Sequence, residues 1–95
     1  MLPNNLIYFV TFLLRMYDLI SFVSRAKNRK LILANLEDPK TPSGLSIQLK
    51  MHRSAVSRAI LELESKGLVK CLTPNEKMGR FYQITERGKK VLKEI

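Results

Sequence analysis

The sequence predicts a mostly α chain with one small β-hairpin, an α+β fold in which an apolar N-terminal helix precedes two helices joined by a tight turn and then a basic hairpin. Three observations carry that expectation. Apolar residues recur at three- and four-residue intervals along much of the chain, the spacing of helices with one covered face. Between Leu45 and Lys66 two such stretches are parted by a polar break at Met51-His52. After Gly67 the pattern changes to two short β-prone runs around a segment rich in Pro, Asn and Gly. At 95 residues the chain has enough apolar content for one modest core. The expected division is an apolar helix over residues 1–23, for dimerisation or packing, and a second unit over residues 24–95.

In the first segment Leu6, Phe9, Val10, Leu13, Leu14, Tyr17 and Ile20 would lay an apolar stripe along a helix, and Ile7, Phe12 and Leu19 lie off that stripe. Such a helix is apolar almost all round and is expected to be buried on more than one side. A second copy of the chain is the simplest cover. The alternatives are an intramolecular core position or attachment to a membrane surface. The longest charge-free run, Met1 to Leu14, is shorter than the roughly 18 to 20 residues that a spanning helix needs, so spanning is not expected. No basic residue precedes the apolar core, as a secretory signal would require. Met16 offers a second reading of the segment, as the natural beginning behind an upstream extension.

The basic run from Ser24 to Lys30 leads into Leu31, Ile32, Leu33 and Leu36, a helical pattern with a solvated cationic start that Asp38-Pro39 ends. Thr41-Pro42 has the form of an N-cap followed by proline in the first turn. The helix it opens is expected from Pro42 to Lys50, with Leu45, Leu49 and Ile47 facing inward and the small Gly44 and Ser46 allowing close approach. His52 falls in the break and serves first as a turn or cap residue. The next helix, Arg53 to Lys66, sets Val56, Ala59, Ile60 and Leu63 on an inner arc and Ser54, Ser57, Arg58 and Leu61 on the outer one, with Glu62 and Glu64 further along. Gly67 closes it in a left-handed conformation. Leu68 to Thr73 and Arg80 to Thr85 form the hairpin, Pro74 to Gly79 its turn, and Cys71 a buried small side chain within the first strand. Thr85 caps a last helix, Glu86 to Ile95, whose acidic start and lysine-rich end suit the helix dipole and whose Val91, Leu92 and Ile95 dock it.

The formal net charge is +9, and because Arg15 and Asp18 cancel, all of the excess lies after residue 24. That balance favours a polyanionic partner, nucleic acid or an anionic membrane surface. The single cysteine excludes an intramolecular disulfide and supports no metal site, which fits a reducing cytoplasm. No glycine-rich phosphate loop, CxxC, HExxH or supported Ser/His/Asp set is present, so neither an enzyme nor a cofactor is expected. The outer arc beginning at Arg53 carries groups that grip phosphate and also hydrogen-bond base edges. Duplex DNA is therefore the expected partner. Arg53, Lys77 and Arg80 are candidates for phosphates, Ser54, Ser57 and Arg58 for base edges, and His52 for a phosphate beside the free N–H groups of a helix start. Exposed Leu61 keeps open a protein-interaction module, and charge alone keeps open non-specific DNA binding.

The segments Ser43-Gly44-Leu45-Ser46-Ile47-Gln48-Leu49-Lys50, Arg53-Ser54-Ala55-Val56-Ser57-Arg58, Leu61-Glu62-Leu63-Glu64-Ser65-Lys66-Gly67-Leu68-Val69 and Tyr82-Gln83-Ile84-Thr85-Glu86-Arg87-Gly88 form a recognisable order. Over about residues 17 to 95 the chain resembles the winged helix-turn-helix transcription regulators of archaea and bacteria, in the broad MarR/ArsR-like group. The resemblance implies a homodimer on double-stranded DNA, with the helix from Arg53 in the major groove and the wing at Lys77 to Arg80 beside it. Full MarR proteins carry longer helical arms at both ends, and too little chain follows Ile95 to supply them, so an effector pocket is not expected. ArsR-type metal sensors use clustered cysteines, which Cys71 alone does not reproduce.

Overall fold

In the computed structural model, which describes residues 4–95, the chain runs as α1 (Asn4–Ser24), α2 (Lys27–Ala34), α3 (Pro42–Leu49), α4 (Arg53–Ser65), β1 (Val69–Cys71), β2 (Tyr82–Ile84) and α5 (Glu86–Lys93). The first three residues of the predicted N-terminal segment lie outside the described residues. The α+β class and the order of elements agree with the sequence reading.

Local chemistry sets most of the boundaries. Thr41 is extended, and its Oγ1 accepts a hydrogen bond from the Gly44 N–H at 3.0 Å, with Pro42 in the first turn of α3. Thr85 does the same for Gly88 at 3.1 Å, and its hydroxyl donates to the Gly67 carbonyl at 2.7 Å, tying the start of α5 to the end of α4. Gly67 has φ +73°. Its N–H reaches the Glu64 carbonyl at 2.9 Å and that of Leu68 reaches the Leu63 carbonyl at 3.0 Å, the paired closing bonds of a Schellman turn. Lys50, expected as the last helical residue of α3, instead closes it in the left-handed region at φ 55°.

The core gathers one buried face from each element: Ile32, Leu33 and Leu36 on and after α2, Leu45 on α3, Val56, Ala59, Ile60 and Leu63 on α4, then Leu68, Val69, Tyr82, Ile84 and Val91. β1 and β2 pair antiparallel, Val69 opposite Ile84 and Cys71 opposite Tyr82. A third strand position was not anticipated. Lys40 exchanges both backbone hydrogen bonds with Tyr82, at 3.0 and 2.9 Å, and the Ile84 N–H donates to the Leu36 carbonyl at 2.8 Å. The α2–α3 connection thus lies along the far edge of β2. Gly88 packs backbone against backbone, since a Cβ there would stand 2.2 Å from the Leu68 carbonyl oxygen.

Three expectations are corrected. Ile47 points to solvent, 79% exposed, because in an eight-residue helix whose inner face is set by Leu45 and Leu49 it falls on the opposite side. Cys71 is half-buried, since it ends a strand of only three residues. The helix from Lys27 stops at Ala34, where Asn35 turns its side-chain amide back onto the Leu31 carbonyl at 2.8 Å, before Pro39 is reached. Of α1, expected to be buried on more than one side, Val23 is buried and Met16, Leu19, Ile20 and Phe22 pack on the core of the same chain, while Leu6 to Leu14 are exposed. By length and composition alone, Leu6–Ser24 is apolar enough to cross a membrane, with Arg15 and Asp18 inside that stretch.

Candidate nucleic-acid interface

The tight turn Lys50-Met51-His52 delivers α4 to the surface at its N-terminus, fixed by the Met51 N–H on the Ser46 carbonyl at 3.0 Å. His52 takes the N-cap position, as expected, but its side chain makes no capping hydrogen bond, so the first N–H groups of α4 lack that cover. Arg53, Ser54 and Arg58 are exposed and Ser57 is half-buried. At 100° per residue Ser54, Arg58, Leu61 and Ser65 share the outward arc, with Ser57 beside them.

The wing meets α4 there. Its turn is held by the Glu76 N–H on the Thr73 carbonyl at 3.1 Å, by the Phe81 N–H on Thr73 Oγ1 at 3.0 Å, and by Arg80 Nε donating to the Glu76 carbonyl. Gly79 supplies the left-handed residue, φ 66°. The folded turn and the start of α4 enclose a cleft of about 170 Å³ lined by, among others, Arg53, Ser57, Lys77 and Arg80. Among the described residues three cations line it and no carboxylate does. Such a cleft can hold an anion such as a phosphate oxygen.

Of the seven candidate residues, Arg53, Ser57, Lys77 and Arg80 are brought together in this cleft, whereas Ser54, Arg58 and His52 stand outside it, exposed on α4 or at its cap. Thr41 and Ser43 at the start of α3 also line it and were not foreseen as part of a site. Their cap motif was visible; their place opposite the wing depends on the Lys40–Tyr82 pairing, to which no local pattern points.

The carboxylates are not where the sequence reading put them. Glu62 and Glu64 fall on the two flanks of α4, not along the outer arc, and both are half-buried. Glu62 accepts Nε of Arg29 at 3.0 Å, with Nη2 on the same oxygen, so Arg29 belongs to a three-helix contact instead of a solvated basic face.

No family model matches the chain. It is 27% identical over 81 residues to a curated protein of Bacillus subtilis (strain 168) described as an uncharacterized HTH-type transcriptional regulator, YdgG, covering 82% of this chain and 53% of that protein. The chain thus spans about half the length of the curated relative it matches. Among solved structures, wild-type apo MarR of E. coli aligns with a TM-score of 0.66 over 99% of this chain and 74% of its own, at 21% identity. The fold is that of the MarR winged helix. A Lactococcus lactis ZitR variant shares the winged helix with a TM-score of 0.63 and 27% identity, over 73% of this chain and 49% of its own. The winged-helix resemblance read from the sequence holds, and the alignment with MarR extends it to α1. YdgG is described as a transcriptional regulator and MarR as a repressor.

Proposed function

We propose that this chain is a sequence-specific, DNA-binding transcriptional regulator that acts as a homodimer in the cytoplasm, with residues 1–23 as its dimerisation arm and residues 24–95 as its DNA-binding unit. The cleft between α4 and the wing is the observation that carries the reading, because it concentrates Arg53, Lys77 and Arg80 beside a helix start with no opposing carboxylate. α4 enters the major groove by its N-terminal half. Arg58 and Ser54 meet base edges there, and Ser57 does so from the rim of the cleft. Arg53, Lys77 and Arg80 hold phosphates, Arg80 and Lys77 from the wing and toward the minor groove, and His52 lies beside the uncapped N–H groups.

The dimer rests on α1. Leu6, Val10, Leu13 and Tyr17 are exposed at alternating four- and three-residue spacing, the seam that one helix offers another. On its other side α1 overhangs a groove of about 740 Å³ bounded by Tyr8, Phe12, Met16, Lys66 and Arg87. A second copy covers both.

Selection of bound sequences from a random duplex pool at near-physiological salt tests the proposal. Enrichment of an inverted repeat with half-sites about one helical turn apart is the expected result. Salt-sensitive retention without enrichment would reduce the role to electrostatic binding. A protein partner is the second reading, favoured by Leu61 and Ile47, both exposed on the helix-turn-helix, and the absence of any DNA retention would make it the first.

A further inference from the structure

Three helices meet at one guanidinium. Arg29 of α2 uses Nε and Nη2 on one carboxylate oxygen of Glu62 in α4, and it donates from Nη1 to the Phe22 carbonyl near the end of α1 at 2.8 Å. Its Cζ lies over the Phe22 ring, 3.9 Å from the centroid, and Nζ of Lys66, which caps α4, stands 5.4 Å from the same centroid. The two ion-pair side chains are partly exposed, 23% for Arg29 and 35% for Glu62, so water can serve either one if the other is removed. Arg29 and Glu62 are therefore dispensable for the core and well placed for alignment.

The direction of α1 relative to α4 is set at this joint together with the packing of α1 on α5 and on the core. Only Arg25 and Ala26 separate α1 from α2. Beyond the joint, α1 runs from Phe22 back to Leu6 with little cover past Met16. At 1.5 Å per residue that arm is about 24 Å long, so a tilt of about 10° at the joint displaces its end by about 4 Å. The rise of DNA is about 3.4 Å per base pair, so the error corresponds to about one base pair of operator spacing.

We propose that Arg29 is a positioning residue which, by clamping α1 to α4, fixes the separation of the two recognition helices and thereby the half-site spacing that the dimer reads. This rests on the DNA-binding dimer proposed above. The test uses full-length protein and duplexes carrying two copies of the selected half-site, their centres moved apart one base pair at a time around a helical turn, together with a duplex carrying one half-site. Wild-type protein is expected to show one preferred spacing. Arg29→Ala is expected to flatten that profile, losing about three- to tenfold at the optimum while its affinity for the single half-site stays within about twofold. Arg29→Lys, which keeps the charge but not the fork, is expected to leave the profile broadened.

An unchanged profile in a cooperatively folded Arg29→Ala protein overturns the assignment, as does an equal loss on the single half-site, which would place the effect in α4 alone. If Arg29→Ala does not melt cooperatively, Glu62→Gln takes its place, with the same broadening expected and the same unchanged profile decisive against it. A wild-type protein without any preferred spacing defeats the dimer reading itself, an outcome distinct from failure of the clamp.

Discussion

Replacing Gly88 by alanine tests how α5 is seated. The new Cβ would stand 2.2 Å from the Leu68 carbonyl oxygen and 2.6 Å from Cγ1 of Ile84. The isoleucine can rotate, but the carbonyl is held on both sides: it accepts the Thr85 N–H at 3.0 Å, and Leu68 itself closes the turn after α4. The helix must therefore lift away, opening contacts around Val91, which is fully buried. Overpacking of this kind costs about 1–3 kcal/mol, and with backbone on one side the upper part of that range applies. Alanine is the better helix former by about 1 kcal/mol, which offsets part of the loss. The net expectation is a destabilisation of about 2 kcal/mol. For a domain of this size that lowers the melting temperature by about 8–16 °C. Thermal melting followed by circular dichroism measures it directly, and a melting temperature equal to or above that of the wild type would show that α5 does not pack on Leu68 as described.

Thr85→Ala removes both the cap on Gly88 and the bond to the Gly67 carbonyl, and is expected to cost about 1–2 kcal/mol in urea unfolding; a loss below about 0.5 kcal/mol would mean that the cap is idle. Arg58→Ala is expected to narrow the gap between cognate and random DNA by about 1–3 kcal/mol, whereas Lys77→Ala should weaken all sequences alike and lower the salt slope by about one. Equal losses from both changes on both DNAs would defeat that division of roles. Leu13→Glu, on the exposed seam of α1, is expected to leave melting of the wild-type kind but convert the protein to a monomer in sedimentation equilibrium, and a persisting dimer would move the interface elsewhere.

What could be read from the chain depended on the range of the interaction. Thr41-Pro42, Thr85 and Gly67 announce themselves because a cap or a left-handed closure is settled within a few residues. The inner face of α4 was legible because thirteen residues give several turns over which Val56, Ala59, Ile60 and Leu63 repeat. α3 has only eight, and over two turns the apolar Ile47 could not be told from its buried neighbours. Arg29 read as one charge in a basic run because its carboxylate lies 33 residues away. Lys40 carries no strand signature, being a single pairing position with no alternation around it. The candidate site shows the same division. Its cations were legible as exposed residues of α4 and the wing, but which of them share a cleft, and that Thr41 and Ser43 join them, follows from how α3 is pinned against β2.

The pairing of Lys40 with Tyr82 bears on how copies of the chain avoid clumping. β2 is flanked by β1 on one side and by the α2–α3 connection on the other, so it offers no open row of amides. Among the described residues the free edge of the sheet is that of β1, three residues long and carrying exposed Lys70 at its centre. Short edges with an outward lysine resist strand addition from a neighbour. A small basic protein with a bare apolar helix is at risk of sticking to itself indiscriminately. With its sheet closed to that traffic, the homodimer proposed above is left to form on helical surfaces, where geometry is selective and assembly can stop at two.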